Sequence, residues 1–301
     1  MDLYQLKTFY ILCLNKSYTV AAKKLFVTQS AVSHAIKKLE ASIAKKLIDK
    51  NKKEFFLTPE GKILFDHCKK IFFHIAKVQE DLKTLHSTTM EITIGSTIEF
   101  GTTVLIKQLE EFNREFKFGK IHMELHNEIM PYLLKDDVDL IIDCKLHLHE
   151  DLHSIPLFRE EYVVICTPKY RHEKKIQVPL DLERCNLISL DIKANWWHRF
   201  YSALSDQKRP KLKNIIQINH IRGIINGTLA STGVGLVPKY TVFNELRRKK
   251  LIQLFPEIKL SEDLFFIYIK KEKKDMKKNR LLIKYLQKSS NNFQNLFGIP
   301  Q

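Results

Sequence analysis

The stretch SYTVAAKKLFVTQSAVSHAIKKLE, residues 17–40, leaves little freedom in how the chain can begin to fold. Two short helical patterns flank a break at Phe26 and Val27. Thr19 can cap the first, whose Ala21, Ala22 and Leu25 permit close helix approach, and Thr28 can cap the second. In the second helix Val32, Ile36, Leu39 and Ile43 fall on one side at 3.6-residue periodicity. Ser30, His34 and Lys37 point the other way, with Ser33 at the flank and Gln29 in the first turn. A preceding helix starts at a capping Asp2 and spaces Leu6, Phe9, Tyr10 and Cys13 along a core-facing stripe. Three helices, the last two joined by a tight turn, leave one short, polar and basic face away from the core.

The next elements extend the pattern. DKNKKEFFLT reads as strand, Asn-Lys-Lys turn and strand, a small wing carrying Lys50, Lys52 and Lys53. Thr58 and Pro59 then supply a cap and a first-turn proline for a long helix. Along it Leu64, Cys68, Ile71, Ile75, Val78, Leu82 and Leu85 alternate four- and three-residue spacings, a three-heptad seam that predicts a dimer.

Charge suits a polyanionic partner. The chain carries a formal +16, and residues 1–90, under a third of its 301 residues, hold half of that excess through 16 Lys and no Arg against 8 acidic residues. No apolar run reaches the roughly 18 residues of a membrane span, and the first residues lack the pattern of a signal peptide, so a cytoplasmic protein without membrane partners is expected. Cys13, Cys68, Cys144, Cys166 and Cys185 are odd in number and never spaced as CxxC, so reduced thiols are expected rather than disulfides or a zinc ribbon.

From Glu91 the period changes. EITIGS, a helix with Leu105, Leu109, Phe112 and Phe116 on one side, IHMELH, a short helix at 132–135 and DLIID spell β-α-β-α-β. A second set follows: YVVIC, NLISL, a helix at 196–202, IIQIN, a helix at 221–230 and GVGLVPK, after which LFFIYIK leads to a final helix at 277–287. Such alternation predicts sheets with crossover helices and a ligand site beyond the carboxyl ends of the strands. Ser96 and Thr97 close the first strand at a helix N-terminus, where they serve either as caps or as carboxylate holders. Asn127, Asn219 and His220 also fall near strand ends.

Residues 6–64, with S-Y-T-V-A-A-x-x-L, T-Q-S-A-V-S, I-x-x-L-E and L-T-x-x-G in order, resemble the DNA-binding domain of LysR-type transcriptional regulators of bacteria. IEFGTTVLIKQLEEFNREF, DVDLIID, PLFREEYVVICTP and GTLASTGVGLVPK then follow the order of that family's effector domain. The resemblance departs at Ala44, where glycine is usual, at Ile48, where phenylalanine is usual, and where lysines replace arginines, so no guanine contact is carried over to those lysines. It implies an α/β chain with an all-α-dominated winged helix-turn-helix at 1–58, a linker and dimerisation helix at 59–89, and an effector-binding domain at 90–301. That domain would be two α/β subdomains of periplasmic-binding-protein type, 90–165 with 266–301 and 166–265, crossing near Ile165 and Phe266. It further implies that Gln29, Ser30 and Ser33 face base edges beside the capping Thr28, that His34 sits at a commonly basic contact position, and that Lys37 with the wing lysines holds the DNA backbone. The implied partners are double-stranded promoter DNA with an interrupted palindrome, a small-molecule effector between the subdomains at Ser96, Thr97, Asn127, Asn219 and His220, and further copies of the chain as dimer or tetramer. No cofactor or catalytic residue is implied.

Other chemistry is weaker in the sequence. HLHEDLH brings His147, His149 and His153 near Glu150 and Asp151, a possible zinc set in a loop-like segment, although solvated histidines and no bound metal are the expectation. No G-x-S-x-G, Walker loop or strand-then-GxGxxG occurs, which argues against a hydrolase, an NTPase or a dinucleotide enzyme. The competing readings are a ligand-binding or enzymatic protein with a vestigial DNA-binding domain, or a metal-responsive regulator using the His147, His149 and His153 cluster.

Overall fold

Side-chain caps set the starts of the first three helices in the computed structural model, which describes residues 1–49, 55–86 and 90–296. Helix α1 (Leu3–Asn15) begins where Asp2 accepts the Gln5 amide at 2.8 Å, and α3 (Gln29–Ile43) where Thr28 accepts that of Ala31 at 3.2 Å. Helix α2 (Tyr18–Leu25) is capped by Ser17 rather than Thr19, two residues earlier than its apolar pattern suggested. Phe9, Leu12, Val32, Ile36, Leu39 and Leu47 fill the core of this head. A two-stranded wing follows, β1 (Ile48–Asp49) antiparallel to β2 (Phe56–Leu57).

Helix α4 (Pro59–His86) leaves the wing through Thr58, whose hydroxyl accepts the Gly61 amide and donates to the Lys46 carbonyl. Gly61 is required by close approach: a Cβ there would lie 2.1 Å from the Leu47 carbonyl oxygen. The heptad seam divides in two. Cys68 is fully buried in the head's own core, with Leu64 packed against it, whereas Ile71, Val78 and Leu82 are exposed. The side chain of Leu85, residues 87–89 at the end of the expected linker, and Lys50, Lys52 and Lys53 of the wing lie outside the described residues.

The first effector sheet has the order β4-β3-β5-β12-β6. Its β3 (Glu91–Ser96), β4 (Lys120–Leu125) and β5 (Leu140–Asp143) are parallel, and β12 (Asp263–Lys270) runs antiparallel to both β5 and β6 (Leu152–Glu160). Helices α5 (Ile98–Phe100), α6 (Ile106–Phe116), joined to it through a π-helical turn, α7 (Met130–Leu134) and the late α12 (Lys277–Leu296) belong to this half. Leu105, Leu109 and Phe112 are buried on the face their spacing predicted. The second sheet has the order β11-β7-β10-β8-β9, from β7 (Tyr162–Cys166), β8 (Asn186–Ser189), β9 (Asn214–Gln217), β10 (Val234–Pro238) and β11 (Ile252–Leu254). With it come α8 (Pro168–Lys174), α9 (His198–Ser202), α10 (Ile221–Leu229) and α11 (Phe243–Arg247).

The strand pairings move the expected subdomain crossings. Tyr162–Ile165 pairs with β10 and β11 in the second sheet, so the outward crossing is at Glu161 rather than 165. Asp263–Phe265 already pairs with β6 in the first sheet, so the return precedes 263 rather than 266. Segment 152–160, whose first residues read as loop, is the longest strand of the chain's first sheet, held by pairing to β12 despite Pro156. The final helix also runs further than its apolar pattern predicted.

The head rests on the first subdomain through polar contacts. Asp136, at φ 60° before β5, accepts the Tyr10 hydroxyl at 2.7 Å and pairs with Lys270 at 2.8 Å and Lys273 at 2.7 Å. Lys24 pairs with Asp137, and Lys69 with Asp151 at 2.9 Å. The Tyr10 ring stacks on Phe72 of α4 with centroids 5.2 Å apart.

Candidate functional site

Two surfaces carry the residues singled out by sequence. On the head, Val32, Ile36 and Leu39 anchor α3 to the core, and this alone fixes which side faces outward. Thr28, Gln29, Ser30, His34 and Lys37 are exposed, and Ser33 is half-buried at the flank. The Thr28 and Ser30 hydroxyls lie 2.9 Å apart at the helix start. At the other end Glu40 is buried, accepting the Leu47 amide at 3.0 Å and the Lys46 ammonium at 2.9 Å, so it ties α3 to the wing. Burial pushes its carboxyl up, but the hydrogen bonds from Lys46 and Leu47 outweigh that and hold it below the usual range. Phe26, which sequence assigned only to the break, stands 96% exposed at the left-handed end of α2, two residues before the Thr28 cap of α3. The exposed face of α3 is thus short, polar and basic, with an unhindered N-terminus of the kind that enters a major groove.

The second surface is a cavity of about 520 Å³ between the two subdomains. Thr97, Asn127, Asn219 and His220 are among the residues that line it. Ser96 does not: it is fully buried at the end of β3, one residue short of the opening, because successive strand residues point to opposite faces. Thr97 makes no side-chain capping bond to α5, whereas His220 Nδ1 accepts the Arg222 amide at 3.2 Å and caps α10. Glu99 reaches across from the first subdomain to His220, 3.4 Å away. Burial pushes the Glu99 carboxyl up, against the opposing pull of His220 and Arg222.

The cavity floor holds residues that sequence reasoning missed. Glu160 ends β6, Tyr162 opens β7 and Asp263 opens β12, so the two crossings bring them together. The Tyr162 hydroxyl lies within hydrogen-bond reach of both Glu160 and Asp263, at 2.7 Å from the latter, and its single proton serves one of the two at a time. Arg199 pairs with Asp263 at 3.3 Å, its guanidinium 3.6 Å from the Tyr162 ring centroid and 4.9 Å from that of Trp196. Burial pushes the Glu160 carboxyl up to about 7, partly opposed by hydrogen bonds from Tyr162 and Tyr240. The only signal available in sequence was position, since both acids flank the crossing segments.

The histidine cluster does not assemble as a metal set. His147 Nε2 lies 2.8 Å from Asp143, His149 Nδ1 accepts the Asp151 amide, and His153 sits on β6. Among the described residues the group whose ligand atoms lie within 4.8 Å of one another is Cys144, Glu160 and Asp263. Cys166 and Cys185 are buried free thiols. The glycines of GTLASTGVG serve packing: a Cβ on Gly235 would lie 2.6 Å from the Thr228 hydroxyl of the overlying α10.

A winged helix-turn-helix head on a long helix, followed by two α/β subdomains enclosing a cleft, defines a ligand-responsive DNA-binding regulator. The chain belongs to the LysR family of transcriptional regulators. Residues 86–290 match the LysR substrate binding domain and residues 3–62 the bacterial regulatory helix-turn-helix protein of the lysR family. Among curated relatives, the glycine cleavage system transcriptional activator of Escherichia coli K12 is 25% identical over 263 residues, covering 87% of this chain and 85% of that protein. Its Haemophilus influenzae homolog is 27% identical over 257 residues, covering 84% and 83%. Among solved structures the fold is shared with ArgP from Mycobacterium tuberculosis (TM-score 0.70, 14% identity, 96% and 97% of the two chains). It is also shared with full-length LysG from Corynebacterium glutamicum with bound effector Arg (TM-score 0.66, 16% identity, 97% and 99%). Among the described residues no helix is long and apolar enough to cross a membrane.

Proposed function

We propose that Thr28, Gln29, Ser30, Ser33 and His34 meet the major groove, with Gln29, Ser30 and Ser33 at base edges and Lys37 on the phosphate backbone, while a small molecule in the cleft controls how two such heads are spaced on promoter DNA. The observation that carries this is the exposed polar face of α3 on a helix whose opposite side is locked into the head's core. Gln29 in the first turn has the geometry for a bidentate adenine pair, and the small serines let the helix seat deeply. Two heads come from pairing of α4 through Ile71, Val78 and Leu82, apolar side chains that a lone chain leaves in water. In this reading the dimer addresses an interrupted palindrome, further pairing gives a tetramer, and the protein works in the cytoplasm as a binding protein rather than an enzyme.

The cleft reaches the head through two strands. Strand β12 starts at Asp263 in the cavity and ends at Lys270, which pairs with Asp136 under the head; β5 follows Asp136 and ends at Asp143 in the cavity. A ligand that fits one arrangement of the subdomains better than another therefore acts on both ends of the same strands, and its effect is limited to that difference in affinity. The test is a gel shift of the full chain on DNA upstream of its own gene and on unrelated DNA across a salt series. Preference for the upstream DNA that survives at moderate salt supports the reading, and equal binding to both refutes it.

A further inference from the structure

The cleft floor is acidic in a chain that carries a formal +16. Four carboxylates line the cavity, Glu99, Asp143, Glu160 and Asp263. Three of them already face a basic side chain of the protein: Glu99 faces His220 at 3.4 Å, Asp143 faces His147 at 2.8 Å and Asp263 pairs with Arg199 at 3.3 Å. Glu160 differs. Its side chain is only 3% exposed and is held by the hydroxyls of Tyr162 and Tyr240, while Arg199, the cation that acts on it, is engaged with Asp263. Hydroxyl donors satisfy the oxygens of a buried carboxylate without neutralising its charge, so an ionised Glu160 has no ion-pair partner of its own among the described residues.

Rings on the cavity wall supply the rest of a cation site. Tyr162, Trp196, Tyr240 and Phe265 line it, and Arg199 already uses the Tyr162 and Trp196 rings as cation-π partners. Resting on the reading of this cleft as the effector site, we propose that the effector is a small molecule bearing a protonated amine, seated with its ammonium at Glu160 against the aromatic wall. Thr97 and Asn219, from other elements lining the cavity, are left for polar groups on the rest of the ligand. The volume of about 520 Å³ suits a ligand of metabolite size. An ammonium fits better than a metal ion here. Arg199 already pairs with Asp263 at 3.3 Å, so a doubly charged ion on the Cys144, Glu160 and Asp263 group would sit against a fixed guanidinium.

The experiment is a binding screen of the full-length protein with matched probes: the common α-amino acids and linear polyamines, the N-acetyl form of each, and Zn²⁺ and Mn²⁺ alone. Thermal shift identifies binders and calorimetry gives their Kd. The proposal expects at least one free amine to bind, its N-acetyl form to bind at least 10-fold more weakly, and Glu160→Gln to lose a similar factor for the amine. Glu160→Gln should keep the melting temperature of the unliganded protein or raise it, which separates lost binding from lost folding. Equal affinity for acetylated and free forms, undiminished amine binding by Glu160→Gln, or no bound amine in the panel overturns the proposal. So does stoichiometric Zn²⁺ or Mn²⁺ binding that Cys144→Ser abolishes. Gel shifts without ligand report on the regulator reading separately: retained sequence preference with binding only of acetylated, anionic probes removes the amine and leaves the regulator.

Discussion

Replacing Tyr10 with Phe removes one hydroxyl from the contact between head and effector domain and leaves the ring stacked on Phe72. The lost bond runs to a charged acceptor at 2.7 Å, and bonds of that type contribute about 1.5–3 kcal/mol. Asp136 keeps Lys270 and Lys273 at 2.8 and 2.7 Å, so its charge stays compensated and the loss falls at or just below the bottom of that range, about 1–2 kcal/mol. That is roughly a 5- to 30-fold increase in local opening. Native-state hydrogen exchange reads it at the Asp136 and Asp137 amides, which donate to the Leu133 and Tyr132 carbonyls. A double-mutant cycle with Asp136→Asn should return a coupling of the same size, and a coupling within about 0.3 kcal/mol of zero would refute the contact. The pH dependence has a definite sign. Burial pushes the Asp136 carboxyl up, but Lys273 and Lys270 outweigh it and hold the group below its usual range. Its stabilisation is therefore complete above the unfolded value, about 3.9, and is lost as pH falls through the lower folded value. Head protection should weaken below about pH 4 in wild type, and Asp136→Asn should reduce that dependence, leaving the part carried by Asp151, which burial pushes up but Lys69 holds below the usual range.

Two further perturbations test other parts of the structure. Ala44 ends α3 at φ 53°, where a Cβ costs about 1–2 kcal/mol, so Ala44→Gly should stabilise the head by about 0.5–1 kcal/mol after glycine's entropy is counted; urea denaturation that shows a loss would contradict the left-handed cap. Val78→Glu with Leu82→Glu places charges on two apolar side chains that are 55% and 56% exposed on α4. Sedimentation velocity should show loss of the dimer, while a pair that leaves the sedimentation coefficient unchanged would exclude this face as the seam.

What the sequence disclosed was what local chemistry encodes. Asp2, Thr28 and Thr58 begin α1, α3 and α4 because capping needs only a neighbouring amide, and the apolar spacing of α3 set its buried side without any knowledge of partners. The Ser17 cap shows the limit, since two hydroxyls two residues apart offer the same local signal. Crossing points were misjudged because YVVIC and LFFIYIK are apolar runs that fit either sheet, and only the partner strands decide. The cleft floor was illegible for a similar reason: Asp263 meets Glu160 and Tyr162 from about a hundred residues further along the chain. Ser96 and Thr97 were indistinguishable as hydroxyls, and strand alternation separated them.

The most direct test of the account is the specificity of Gln29→Ala. Fluorescence anisotropy with the preferred upstream duplex and an unrelated duplex, at the same salt, gives the ratio of the two affinities for each protein. A base-reading Gln29 predicts that the ratio falls by about 5- to 150-fold, the equivalent of about 1–3 kcal/mol, while binding to the unrelated duplex is unchanged. Lys37→Ala in the same assay should weaken both duplexes alike and lower the salt slope by about one. A Gln29→Ala protein that keeps the wild-type ratio would contradict the claim that this face of α3 reads DNA.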